Sequence, residues 1–485
     1  MRISELNLGE NIKRADSEIE FTSICRNTNE ISEDCLFFDL PSVSGKQRSY
    51  AFSIAPRAII TENPTDFAEL NLPIIEVKDA RSAYAYAYSS LLKIDYSKFK
   101  IIGVTGTNGK SSVCAMLKKI LTAFGKKCGL IGTGIIDADG EILSRQYYSM
   151  TTPDPEILYP TLKKMQEQKI EYILMEVSSH ALALGKCAPI EFDIGVFTGL
   201  SPEHLDFHKT LENYYCAKRT LFTKARLGVI FTDGEYGERL FAEFKDRSVS
   251  VGIGSGMIKA ESIHQRGFSG SDFTLSKNGK KYSVLLRVPG LYNINNALLA
   301  LGCISELSLD IKRAIEALYE LTFIKGRFEV IQSDITVIRD FAHTEEALRN
   351  LLKTIKSNVN TGQNITVVMG CGGERDKSKR PFMAKCASEL SDRVVITEDN
   401  SRGEELSEIL SDIIFGIDSG RIGVIADRAL AIEYAIATAK DSEVVVIVGK
   451  GAEDYIITKQ TYRHFDERGI IEAALSKRIS KRSGQ

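Results

Sequence analysis

Short apolar runs separated by helical stretches set the rhythm of this chain. Near the start, "CLFFDL", "RAIITE" and "LPIIEV" read as strands, and "DARSAYAYAYSSLLKI" reads as the helix that closes the segment. Its alanine and tyrosine spacing suits a helix packed on a sheet rather than a cofactor-stacking surface. A second series opens at "KIIGVTG" and continues through "YILMEV", "FDIGVFTGL" and "LGVIFT". A third follows residue 330: "DITVIRDF", "NITVVMGCGG", "DRVVITEDN" and "EVVVIVGKG". Strands this continuously apolar, alternating with helices, predict parallel sheets covered on both faces. The pattern predicts an α/β protein of three units, residues 1–95, 96–330 and 331–485. The last three runs end in glycine or polar residues at the strands' carboxyl edge, where open α/β sheets hold ligands.

Composition narrows the class. The 485 residues are 43% apolar and 26% charged, enough for real cores, and the net charge of −2 gives no reason to expect a nucleic-acid partner. The first residues, "MRISELNLGENIKRADSEIE", lack the apolar run of a signal peptide, and no stretch approaches a membrane span. Nine scattered cysteines without a CxxC pair read as reduced, buried thiols, as expected of a cytoplasmic protein.

"TGTNGKSS" lies between a strand and the amphipathic stretch "VCAMLKKIL". Amide groups at the start of a helix, with its dipole, favour an anion. Gly106 and Gly109 let the main chain approach phosphate oxygens; Lys110 can reach the outer phosphates and Ser111 can ligate Mg²⁺. The common phosphate-loop pattern would need glycine where Val104 stands; Gly103 and Gly106 flank that slot. A glycine-lysine pair can also be a plain tight turn, but the strand–loop–helix setting favours a nucleotide. Switches, motors, kinases and ligases all fit the loop. No N-K-x-D stretch for guanine is present, which lowers the first.

The loop resembles that of the Mur ligase family, TGTNGK[TS][TS]. "TTPDP", "MEVSSHAL", "SPEHLDFH", "AK", "GLYNINN", "KGRFE", "DFAHT", "GCGGERDKSKRP", "DNSR" and "GKGAEDY" follow in the family's order between residues 103 and 455. The first 95 residues resemble it only weakly. The resemblance implies a three-domain architecture: an N-terminal UDP-sugar-binding domain, a central phosphate-loop parallel-sheet domain that binds ATP, and a C-terminal Rossmann-like domain that binds an amino acid. It also implies a reaction, in peptidoglycan synthesis, in which ATP phosphorylates a carboxylate and an amine then attacks the acyl phosphate. Such catalysis is positioning and charge neutralisation.

The family's site residues carry over as follows. Gly106, Thr107, Asn108, Gly109, Lys110, Ser111 and Ser112 match the ATP loop. Asn296 matches the adenine contact, with Asn293 supporting the turn; Arg327 and Asp340 match further nucleotide contacts. Ser111, Glu176, His204 and Lys218 match metal-site positions, for two expected Mg²⁺ ions. A lysine ammonium cannot bind a cation, and the family's answer is a carbamate on the position of Lys218. The residues alone would favour an ordinary polar contact at Glu176 and His204, and the alternatives elsewhere are a helix-surface lysine at Lys218, a surface ion pair at Arg327 and a structural His343.

For a UDP-N-acetylmuramoyl dipeptide substrate, Thr151, Thr152, Ser178 and Lys186 match family contacts, Lys186 standing where many members carry arginine. Leu184 stands where some have glutamine. "SICRNT" keeps Arg26 at the uridine end but has Ile24 and Cys25 where the family has aspartate and serine. The incoming amino acid is addressed by "TEDNSRGEE". Members that add meso-diaminopimelate carry D-N-P-R there, and an arginine suits the far carboxylate of that molecule. Asp399, Asn400 and Arg402 are kept, with Ser401 replacing proline. Gly449 and Glu453 match further contacts, Ala452 replaces histidine, and Arg375, with Arg380 nearby, matches another carboxylate contact. The expectation is a monomeric ligase adding a diamino acid, meso-diaminopimelate ahead of lysine or ornithine. A folylpolyglutamate synthase-like ligase and an inactive nucleotide-binding module are the competing readings.

Overall fold

The strand Lys100–Thr105 is buried along its whole length after Lys100. Burying each of its large aliphatic side chains contributes about 1.5–3 kcal/mol. Gly103 within it is a packing glycine: a Cβ there would lie 2.6 Å from the Phe192 ring. The computed structural model describes residues 1–8, 12–14, 18–41, 52–145, 151–360, 362–415, 419–459 and 461–483. These form two compact units, each built from several chain segments.

The first unit comprises Met1–Gly106, Gly125–Val196 and Tyr214–Gly228. Its N-terminal sheet runs in the order Ile12–Arg14, Ile74–Val77, Ala58–Thr61, Cys35–Phe38, Ser23–Cys25. All neighbours are parallel except the Ile12–Arg14 edge. Helix Ala80–Leu91 starts at an Asp79 cap that accepts from Arg81 and Ser82 amides. Its Ala80, Ala83, Tyr84 and Ala87 face join Leu36, Phe38, Ile60 and Ile75 in one core, as the alternating alanine pattern requires. Further along, Tyr172–Glu176 lies between Lys100–Thr105 and Cys128–Gly132, parallel to both. Two antiparallel strands, Ile135–Ala138 and Glu141–Arg145, extend that edge.

The second unit comprises Thr107–Phe124, Phe197–Asn213 and Val229–Gln485. Helix Lys110–Ala123 buries Val113, Met116, Leu117, Ile120 and Leu121 and packs against helix Leu291–Glu306. Ile258–Gln265, Ser271–Lys277 and Lys280–Leu286 form an antiparallel meander beside Ser248–Ile253. Hydrophobic alternation in these strands is shallow, and the sequence pattern did not single them out.

A six-stranded sheet follows in the order Glu329–Gln332, Thr336–Asp340, Val444–Val448, Ile365–Met369, Arg393–Ile396, Ile422–Val424. It is parallel apart from its first strand. Both faces are covered: Leu348, Leu352, Met383 and Ile409 on one, Ile432, Ile436, Ile471 and Leu475 on the other. This is why its strands read as unbroken apolar runs. Register pairs Asp340 with Val448 and Met369 with Ile396, so the carboxyl ends align. The loops starting at Phe341, Gly370, Thr397 and Gly449 therefore leave from one edge.

Among the described residues no helix is long and apolar enough to cross a membrane. None of the nine cysteines is in a disulfide; Cys216 is exposed, against the expectation of burial throughout, on the outer side of helix Leu211–Lys224.

Candidate active site

The phosphate-type loop is fixed by its own unit. Thr107 donates its amide to Gly199 O (3.0 Å), and its hydroxyl accepts from the Ser201 amide (3.0 Å). Gly109, at φ 89°, caps helix Lys110–Ala123 in a left-handed conformation that other residues reach only with strain. A Cβ on Gly109 would lie 2.5 Å from Asn296 Oδ1, so the loop turns directly over that asparagine. Asn296 is buried and donates to Asn293 Oδ1 (3.0 Å), while Asn293 donates to Pro289 O (2.7 Å). Lys110 Nζ donates to Thr107 O at 2.8 Å, folding the ammonium back over the loop.

Arg327 is no surface ion pair. Its Nη2 donates to Ser111 Oγ (2.8 Å), and its guanidinium stacks 4.2 Å from the Phe341 ring centroid. Asp340 accepts amides from Phe328 (2.6 Å) and Ala342 (2.7 Å), tying the loop after its strand to the Arg327 turn. Burial raises the Asp340 carboxyl despite nearby Arg327.

His204, at φ 56°, precedes the short helix Leu205–His208 in another strained position. Its neighbour Glu203 sits between two imidazoles, 3.7 Å from His204 Nε2 and 3.3 Å from His343 Nε2. Burial would raise the Glu203 carboxyl, but His343, His204 and Lys110 outweigh it and hold it well below the usual range. Glu203 was not among the sequence candidates, although "SPEHLDFH" contains it.

At the carboxyl edge of the six-stranded sheet, Asp399, Asn400 and Glu453 are all buried together with Lys450. Asn400 donates to Glu453 Oε2 (2.9 Å) and accepts the Ile457 amide (3.0 Å). Gly449, at φ 110°, brings its backbone so close to Asp399 that a Cβ would lie 2.7 Å from Oδ2. Arg402, at φ 52°, donates to Gly373 O (2.7 Å) and Asn400 O (3.3 Å). Arg375 is exposed and near enough to Arg402 and Glu453 to feel both charges. Arg380 is fully buried and bound by Asp412 (2.7 Å) and Glu404 (3.0 Å), which leaves Arg375 as the arginine that faces outward.

The first unit holds the remaining candidates in three groups. Glu176 accepts the Thr133 amide and hydroxyl, each at 3.2 Å, and the Thr133 and Thr151 hydroxyl oxygens lie 3.2 Å apart, with Thr133 left to accept from Thr151. Thr152 donates to Glu176 O (2.9 Å) and accepts from the Ser178 amide (2.9 Å). Thr133 is thus a linking residue that sequence reasoning missed. Arg26 reaches Asp154 (3.0 Å) and Glu156 (2.6 Å), and Lys186 reaches Asp154 (2.6 Å), so two substrate-contact candidates share one carboxylate. Lys218 is 1% exposed; its Nζ donates to Gly106 O (2.8 Å) and lies 4.4 Å from the Tyr214 ring centroid.

Taken unit by unit, the Glu176 carboxylate of the first and the Ser111 hydroxyl of the second are oxygen donors of the kind a hard cation takes, while the His204 imidazole of the second is a softer donor. Among the described residues no group of three or more His, Cys, Asp or Glu could hold a metal ion unaided.

A glycine loop against a buried asparagine, with an arginine from the turn before strand Glu329–Gln332 on the loop serine, defines an α/β nucleotide-dependent enzyme. The Mur ligase middle domain matches residues 104–304, and the Mur ligase, glutamate ligase domain matches residues 326–451. A UDP-N-acetylmuramoyl-L-alanyl-D-glutamate--2,6-diaminopimelate ligase of Clostridium tetani is 37% identical, over 97% of this chain and 99% of its own. One of the same name from Bacillus cereus is 33% identical over 95% of each chain. A solved structure of such a ligase superposes with a TM-score of 0.67 at 25% identity, covering 99% of this chain and 100% of its own. Folylpolyglutamate synthase of Mycobacterium tuberculosis, in complex with ADP and AMPPCP, shares the fold at TM-score 0.65 and 17% identity, over 82% of this chain and 95% of its own. The chain belongs to the Mur ligase family, whose members are ATP-dependent ligases.

Proposed function

We propose that this protein joins meso-2,6-diaminopimelate to UDP-N-acetylmuramoyl-L-alanyl-D-glutamate at the expense of ATP. The observation that carries the reading is Arg402, held at the carboxyl edge of the last sheet beside Arg375 and Glu453. Two guanidinium groups can take the far carboxylate of a diamino diacid, and a carboxylate can take its ammonium. Lysine and ornithine have no such carboxylate. Residues 1–95 would hold the UDP-sugar, 96–330 the ATP and 331–485 the amino acid.

The reaction runs in two transfers. A D-glutamate carboxylate oxygen attacks the terminal phosphorus and ADP leaves. The amine nitrogen then attacks the acyl carbon, the bond from that carbon to the phosphate oxygen breaks with its electron pair leaving on phosphate, and the nitrogen loses a proton. Lys110 and the Gly106–Lys110 backbone amides would neutralise and align the phosphates, and Asn296 would seat the adenine. Thr151, Thr152, Ser178, Arg26 and Lys186 would hold the nucleotide substrate. Ser111, Glu176, His204 and Lys218 as its carbamate would hold Mg²⁺. That ion would screen the charge of the phosphate and carboxylate oxygens. The chemistry fits a monomeric, cytoplasmic enzyme with small-molecule partners.

A panel of meso-diaminopimelate, L-lysine, L-ornithine and L-glutamate, each with the muramyl dipeptide nucleotide, ATP and Mg²⁺, tests the reading. Preference for diaminopimelate by at least about 10²-fold in kcat/KM is expected, since a site arranged to bond a carboxylate rejects analogues that lack one. Preference for lysine would overturn the assignment of Arg402. Turnover only with a pteroyl acceptor and glutamate would favour the folylpolyglutamate reading.

A further inference from the structure

Lys450, in "GKGAEDY", has a fully enclosed side chain at the sheet edge, with 0% exposure. Its ammonium lies 3.2 Å from Asp399 Oδ1, 3.1 Å from Asn400 Oδ1 and 3.6 Å from Glu453 Oε2. The Tyr455 ring centroid is 5.6 Å away on another side. One cation thus touches three of the residues assigned to the amino-acid subsite, which come from two different loops.

Those contacts also redefine what the three residues can do. Asn400 spends its oxygen on Lys450 and the Ile457 amide, and an Nδ2 proton on Glu453. Asp399 spends Oδ1 on Lys450 and on the Asn400 amide at 2.6 Å. Both are anchors of the loop rather than free ligands. The Arg402 guanidinium is positioned from that same loop, because it donates to Asn400 O. Burial works against a charged Asp399, but Lys450 and Arg428 outweigh it and hold the carboxyl below its ordinary value. At Glu453 burial wins instead and pushes the carboxyl up despite Lys450 and the Asn400 hydrogen bond, so the one lysine is the nearest cation to two enclosed carboxyls of opposite tendency.

We infer that Lys450 is the positioning residue of the amino-acid subsite, fixing the Asp399–Arg402 loop against the Gly449–Glu453 loop so that Arg402 and Glu453 present a carboxylate site and an ammonium site at set spacing. The inference rests on the proposed function. It assigns Lys450 no contact with substrate.

The test is Lys450→Met, which keeps the length and removes the charge, assayed beside Arg402→Ala. For Lys450→Met the KM for diaminopimelate rises tenfold or more, while the KM values for ATP and the nucleotide substrate stay within twofold. Its preference for diaminopimelate over lysine falls by a similar factor. A purely structural lysine would instead lower active-enzyme yield and leave all three KM values alone. Should Lys450→Met not fold, the double variant Lys450→Met/Asp399→Asn removes the stranded carboxylate and is compared with Asp399→Asn alone. A further tenfold rise in the amino-acid KM supports the inference, and equal values overturn it. If Arg402→Ala raises the amino-acid KM and Lys450→Met does not, the inference fails and the functional reading stands. If neither moves it, the reading itself fails and the inference with it.

Discussion

Single residues carry the chemistry through what surrounds them. Lys218 is enclosed between the Gly106 carbonyl and the Tyr214 ring, and its ammonium, a cation with no lone pair, cannot itself ligate a metal. Addition of CO₂ with loss of a proton would turn it into an anionic oxygen donor. Lys218→Ala is therefore expected to lose at least about 10²-fold in kcat, the scale of a removed charge-stabilising group. Millimolar acetate or formate should restore part of it in steady-state assays, and wild-type rates in the variant would remove the carbamate. A second prediction concerns pH. Burial opposes a charged Asp154, but Lys186 and Arg26 outweigh it and hold the carboxyl below its ordinary value. The stabilisation is then fully present above the unfolded pKa of about 3.9 and is lost as pH falls through the lower folded value. Asp154→Asn should cost roughly 1–3 kcal/mol at neutral pH. In thermal melts, the gap between the two proteins should stay flat from pH 5 to 8 and narrow below about 4.

Elements turn those residues into a site. The loop and helix Lys110–Ala123 depend on Gly109, whose φ of 89° and closeness to Asn296 leave no room for a side chain. Gly109→Ala should raise the ATP KM about tenfold, equivalent to about 1.4 kcal/mol, and leave the fold intact by circular dichroism; an unchanged KM would show that loop and asparagine separate on binding. Much of this level was legible in the sequence. The apolar runs at Cys35–Phe38, Tyr172–Glu176, Ile365–Met369 and Val444–Val448 are strands because both faces of their sheets are covered. The strands Ser271–Lys277 and Lys280–Leu286 were not legible, because apolar residues are few in the first and gathered at the end of the second, which leaves little alternation to read. At the site, motif letters identified which residues to watch but not their partners. Thr133, Asp154, Glu203 and Lys450 act partly through contacts distant in the chain, such as Arg26 with Asp154, 128 positions apart, which no local spacing reveals.

The whole molecule must do one thing beyond binding three ligands, which is to keep an acyl phosphate from water until an amine arrives. An acyl phosphate open to solvent would be hydrolysed and would release phosphate with no amide formed. A ligase and an uncoupled ATPase therefore differ in a partial reaction. With ATP, Mg²⁺ and the nucleotide substrate but no amino acid, phosphate release should stay below roughly 5% of the complete rate, because attack by the amine is the productive exit. Adding diaminopimelate should restore full release with one amide per ADP, followed by coupled detection of both products. Phosphate release at the full rate without amino acid would mean that the enclosed groups at the sheet edge do not govern turnover. No ADP under any combination, despite measurable ATP binding, would instead favour a nucleotide-binding module that has lost its chemistry, and the retained Lys110, Glu176, His204 and Lys218 would then need another explanation.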